Sequence, residues 1–140
     1  MPEARIWSEL YFSETWQTAV TVGNAAPLYA LISAVGALSR QAATALFGVS
    51  ALIHIALDFP LHAGDAHAHF WPITDWRFES PLSYWNPAYH GDLVHLVEAG
   101  LSLVLTLVLW RRFRSWPVRG VLVLSLSLYA LVPLYFSVVI

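Results

Sequence analysis

The chain has 140 residues, room for one domain, of which 58% are apolar and 11% charged, with a mean hydropathy of +0.60 and a net charge of -2. Soluble domains carry roughly 25% charged residues, so this balance points to a bilayer as solvent, and the lack of a basic tract excludes nucleic acid as a partner. Cysteine is absent, which removes disulfides, thiolate zinc sites and iron–sulfur clusters.

The opening stretch MPEARIWSELYFSETW has no apolar core of the signal-peptide kind. It reads as an interfacial segment, with Trp7, Tyr11, Phe12 and Trp16 at headgroup level. A helix needs about 20 largely apolar residues to cross a bilayer, and four runs meet that need, at about 16–38, 41–59, 92–110 and 120–140. Pro27 lies inside the first, where membrane helices tolerate it. Pro60 closes the second just beyond Asp58. The expected fold is an all-α polytopic membrane protein of four transmembrane helices and one integral membrane domain, residues 1–140.

The connections fix an orientation. Arg40 links spans one and two, and Arg111, Arg112, Arg114 and Arg119 lie around the link between three and four. The long link, 61–91, has Arg77 against Asp65, Asp75 and Glu79. By the positive-inside rule the short links face the cytoplasm and the long loop faces outward. Both ends then also face outward, so the chain reads like the later part of a longer protein.

Within the loop, residues 70–89 read FWPITDWRFESPLSYWNPAY, with three Trp, two Tyr and two Phe. A disordered segment would be poor in aromatics, so the expectation is a lid lying in the outer interface. A plain aromatic belt is the alternative.

The polar residues gather beside this loop. His54 to Pro72 reads HIALDFPLHAGDAHAHFWP and holds four of the six histidines. His54 and Asp58 share one helix face. A carboxylate in the last turn opposes the helix dipole and needs a positive partner. In Asp65-Ala-His67-Ala-His69 an extended backbone would turn all three polar side chains one way. Span three opens with His90, Asp92, His95 and Glu98, at a spacing related to that of di-metal helical bundles. Asp92 can serve simply as a helix cap, whereas Glu98 lies a turn inside an apolar run. Ser102 and Thr106 extend that stripe inward. The end of span two and the start of span three share a membrane face, so a divalent metal (Zn, Mn or Fe) is expected there. The candidate ligands are His54, Asp58, His62, Asp65, His69, His95 and Glu98, with His67 and His90 set aside as loop residues.

The segment HIALDFPLHAGDAHAHFWPITDWRFESPLSYWNPAYHG, with ELYFSETWQ near the start, resembles an uncharacterised family of small bacterial integral membrane proteins, some labelled as cobalamin-biosynthesis proteins (cobyric acid synthase). It is distantly similar to predicted membrane-bound metal-dependent hydrolases, which place His and Asp at helix ends. The resemblance implies the bacterial inner membrane. It also implies that a further N-terminal membrane segment, with a His and a Pro-Asp pair, precedes this stretch in longer relatives.

Three functions compete. One is a metal-dependent hydrolase acting on a lipid-like, amphiphilic ester or phosphoester at the outer leaflet, with Glu98 or Asp65 taking a proton from a metal-activated water. Another is a non-enzymatic metal-handling subunit. The third is a b-type haem held by His54 and His95, against which their neighbouring carboxylates weigh. A structural membrane protein with a hydrogen-bonded polar network is the plainest reading.

Overall fold

The computed structural model describes residues 9–84 and 86–139, with side chains in the last helix described as far as Leu131 and at Leu134. Trp7, Trp85 and the side chains at the end of the fourth run lie outside the described residues. Among these residues all regular structure is helical: α1 (Glu14–Gly23), α2 (Ala26–Leu38), α3 (Ala42–Asp58), α4 (Gly91–Arg112) and α5 (Trp116–Val139). Two short 3-10 turns, Phe59–Leu61 and Pro87–Tyr89, flank the loop.

α3 extended through Leu61, and α4, are each long and apolar enough to cross a membrane. α1 and α2 pass the same test only together, bent by 44° at a break, the shape of a broken span or of a re-entrant loop. The continuous first span read from the sequence is therefore interrupted at Asn24–Ala25. Pro27 stands in the first turn of α2, where it needs no N–H partner. Had the helix continued, its ring would have met the carbonyl four residues earlier. Asn24 closes α1, its Nδ2 donating to the Val20 carbonyl at 2.9 Å, and the Tyr29 hydroxyl donates to the Gly23 carbonyl at 2.9 Å. Ser13 caps the start of α1, accepting the Trp16 N–H at 3.4 Å.

α2 turns into α3 through a left-handed Arg40 (φ 56°). Gln41 N–H donates to the Gly36 carbonyl at 2.8 Å and Arg40 N–H to that of Ala37 at 3.2 Å. These two bonds are the Schellman pattern, which usually places Gly in the left-handed position. The two helices then pack backbone to backbone. A Cβ on Gly36 would lie 2.3 Å from Ala45 N, and one on Gly48 would lie 2.6 Å from Ser33 N. Small residues at such crossings are how membrane helices approach closely where lipid offers no hydrophobic drive.

α5 begins at Trp116, four residues before the run read from the sequence, with Pro117 in its first turn. It packs against α4, and the Arg119 guanidinium lies 4.6 Å from the Trp110 ring centroid. Asp92 does not cap α4. The cap position is His90, left-handed at φ 63°, and Asp92 sits in the first turn where a carboxylate complements the dipole.

Candidate functional site: a histidine–carboxylate centre at the end of α3

Pro60 converts the last turn of α3 into a 3-10 turn and throws the chain back over the helix end. The loop is then tied down by its backbone. Ser80 N–H donates to the His62 carbonyl at 2.9 Å and Tyr84 N–H to that of Leu61 at 3.1 Å. The Ser80 hydroxyl bonds the Pro60 carbonyl, and Gly64 N–H donates to Glu79 Oε2 at 2.9 Å. Ser83 is 0% exposed and accepts the Asn86 N–H at 3.1 Å. Aromatic rings fill the space outside this frame. Phe59 stacks on Phe78 with centroids 5.0 Å apart and meets Phe70 and Trp76 at 6.2 and 6.4 Å.

Inside the frame, His62 is held between two carboxylates. Its Nε2 is 2.8 Å from Asp58 Oδ2. Its Nδ1 is 3.2 Å from Asp65 Oδ2, an ion-pair contact whose angle falls short of a hydrogen bond. Burial opposes a charge on this ring, yet the bond and charge of Asp58, followed by the close approach of Asp65, outweigh it and raise the His62 pKa. His62 is therefore the ring of the set that holds its proton most tightly.

His67 and His69 are the opposite case. Their rings lie 4.5 and 6.3 Å from that of His62 and 5.9 Å from each other. Burial lowers both pKa values, and the His62 charge lowers them further; for His69 the Asn24 carbonyl offsets part of the shift. Tyr84, edge-on to His62 at 5.4 Å, is pushed up to about 12 by burial and then by the charges of Asp65 and Asp58. The centre thus sets one imidazole of raised pKa against two of lowered pKa, beside two carboxylates.

His69 also fixes its own tautomer. Its Nδ1 is 3.2 Å from the Asn24 carbonyl, and a carbonyl only accepts, so Nδ1 carries the hydrogen and Nε2 keeps the lone pair. The His69 carbonyl accepts the Ala26 N–H at 2.8 Å. The broken span and the loop therefore complete one another's hydrogen bonding at the interruption. Irregular backbone whose polar groups are met inside the protein in this way is the kind that a bilayer would tolerate.

The remaining candidates sit elsewhere. His54 is exposed on α3, one turn before Asp58. His95 and Glu98 turn to α5: the His95 ring stacks on Tyr129 at 5.7 Å, and the Tyr129 hydroxyl is 3.3 Å from Glu98 Oε2 and 3.5 Å from the His95 carbonyl. The polar residues of the two helix ends thus form two clusters, and the loop cluster includes His67, which its place in a loop had set aside. The buried Ala63, Ala66 and Ala68 that alternate with the polar positions were the available signal. Among the described residues no three His, Asp or Glu form a group that could hold a metal ion, and both Asp58 and Asp65 turn to His62. Comparison with protein-family models, curated proteins and solved structures finds no match, so function has to be read from the residues themselves.

Proposed function

We propose that this chain is a four-span membrane protein with its loop outward, and that the centre at the end of α3 binds a divalent transition metal. Asp58, His62, Asp65, His67 and His69 are its ligand pool. The observation that carries this reading is His69. A ring nitrogen donating to a backbone carbonyl while the other keeps its lone pair is the outer-shell arrangement typical of metal-ligating histidines. His67, whose pKa burial also lowers, supplies a second lone pair from a ring centred 5.9 Å from that of His69. Metal binding demands deprotonated ligands, so uptake here competes with protonation of His62 and with that ring's hold on Asp58 and Asp65. His95 and Glu98 lie outside this ligand pool.

The test is metal content per chain by elemental mass spectrometry, on protein purified in mild detergent without chelator and again after repletion. The expected result is near one equivalent of Zn, Mn or Fe per chain, lost in His69→Gln and Asp58→Asn and declining as pH falls. No metal after repletion would overturn the reading and leave a charge-paired knot that seals the loop. A loaded protein would then enter a screen of amphiphilic esters and phosphoesters.

A further inference from the structure

The α4–α5 interface holds a second polar system, separate from the loop centre. On α4, His95, Glu98, Ser102 and Thr106 follow one another at spacings of three and four and so form a single stripe. Facing it on α5 are Ser125 and Tyr129. Along the seam between the helices runs a half-open cavity of 230 Å³, lined by Ser102, Thr106, Ser125 and Tyr129 together with the exposed Leu105, Leu109 and Leu126.

Depth gives this stripe its meaning. α4 has 22 residues, about 33 Å at ~1.5 Å per residue, against a hydrocarbon core of about 30 Å. Glu98 lies roughly 10 Å inside from the loop end. A carboxylate at that depth is expensive and is by default functional. Tyr129 stands where the two halves meet, since its hydroxyl reaches Glu98 on one side and the same residue lines the cavity on the other. Its single proton is shared between Glu98 Oε2 and the His95 carbonyl. The His95 Nε2 atom is buried with no hydrogen-bond partner among the described residues. An orphaned ring nitrogen one turn from an intramembrane carboxylate can take up a proton and hand it on. The cavity has ample room for a short file of water molecules, each taking about 30 Å³, and its three aliphatic hydroxyls supply the partners such a file needs.

We propose that the α4–α5 seam conducts protons through the membrane. Glu98 is the loading carboxylate, His95 exchanges protons with it on the loop side, and the Tyr129 hydroxyl joins Glu98 to the hydroxyl-lined cavity that continues towards the arginine-rich end. The Arg119 cation over Trp110 stands at that end. The seam needs α4 to span the bilayer and does not depend on metal at the loop centre.

The experiment is proton flux into proteoliposomes carrying the full chain, with an enclosed pH dye, a potassium gradient and valinomycin to set the driving force. A chelator is present throughout, so loss of metal and loss of flux are read separately. Flux above protein-free vesicles is expected, falling to the protein-free rate in Glu98→Gln and several-fold in Tyr129→Phe, which keeps the ring and its packing. Ser127→Ala, away from the cavity lining, should conduct like the parent chain. Each variant is first checked for unchanged helicity and monodispersity. Parent flux no greater than that of empty vesicles would overturn the proposal. So would undiminished flux in Glu98→Gln, which would leave the stripe as interhelical hydrogen bonding only.

Discussion

Replacing Gly36 by Ala tests the claim that α2 and α3 meet backbone to backbone. The added Cβ would lie 2.3 Å from Ala45 N, 2.8 Å from Ala45 Cα and 2.8 Å from the Thr44 carbonyl carbon. Comfortable heavy-atom contact is about 3.5 Å, so the helices must separate by roughly 1 Å along the crossing. No rotamer can absorb the clash, because every opposing atom is main chain. Overpacking of this kind costs about 1–3 kcal/mol, and with backbone on both sides the upper end applies. The gain in helix propensity from Gly to Ala returns about 1 kcal/mol, leaving a net loss of about 2 kcal/mol. Reversible unfolding in mixed micelles titrated with SDS measures this directly. Gly100→Ala is the internal control: nothing lies within 4 Å of its Cβ, so it should gain about the propensity term of ~0.8 kcal/mol. A Gly36→Ala protein as stable as the parent chain would refute the close crossing.

Two further outcomes follow from the loop and the hairpin turn. The raised pKa of His62 means that the folded state holds its proton more tightly than the unfolded chain. The stability this contributes is fully present below the ordinary value of 6.5 and is lost as pH rises through the higher folded value. Protection of the loop from proteolysis should decline over that window and become flat there in His62→Gln; an unchanged pH profile in the variant would sink the assignment. Arg40→Gly should stabilise the α2–α3 hairpin by about 1 kcal/mol in the same SDS titration, because Gly removes the left-handed penalty at φ 56°; a loss of stability would show that the Arg side chain contributes more than its backbone costs.

What the sequence showed and hid divides along physical lines. The length and apolar character of α3 and α4 were legible because long apolar runs bounded by Pro60 and Gly91 depend on local composition alone. Asp58, His62, Asp65 and His69 were read from the sequence within a wider set that also held His54, His95 and Glu98, because spacing shows which polar residues share a membrane face and not which helix each one turns to. The interruption at Asn24–Ala25 was not, since its polar groups are satisfied by His69, far along the chain. A proline that membrane helices tolerate gave no hint of which outcome applied. His67 was misjudged because a loop histidine ordinarily ends in water, and only the burial of its alanine neighbours reverses that. The partner of Glu98 was overlooked in a run without charge, although Tyr129 is the kind of residue that can answer a carboxylate within a bilayer.

The docking of His69 at the break also bears on how the protein is made. Asn24 and His69 are 45 positions apart, with the whole of α2 and α3 between them. Until the segment past Pro60 has been translated and folded back, Ala26 N–H and the Asn24 carbonyl lack the partners that His69 gives them. Settling of the α1–α2 break and closure of the loop are therefore one late event in folding. A chain truncated before residue 69 would stay unfinished at the break, open to quality control, however apolar α1, α2 and α3 are.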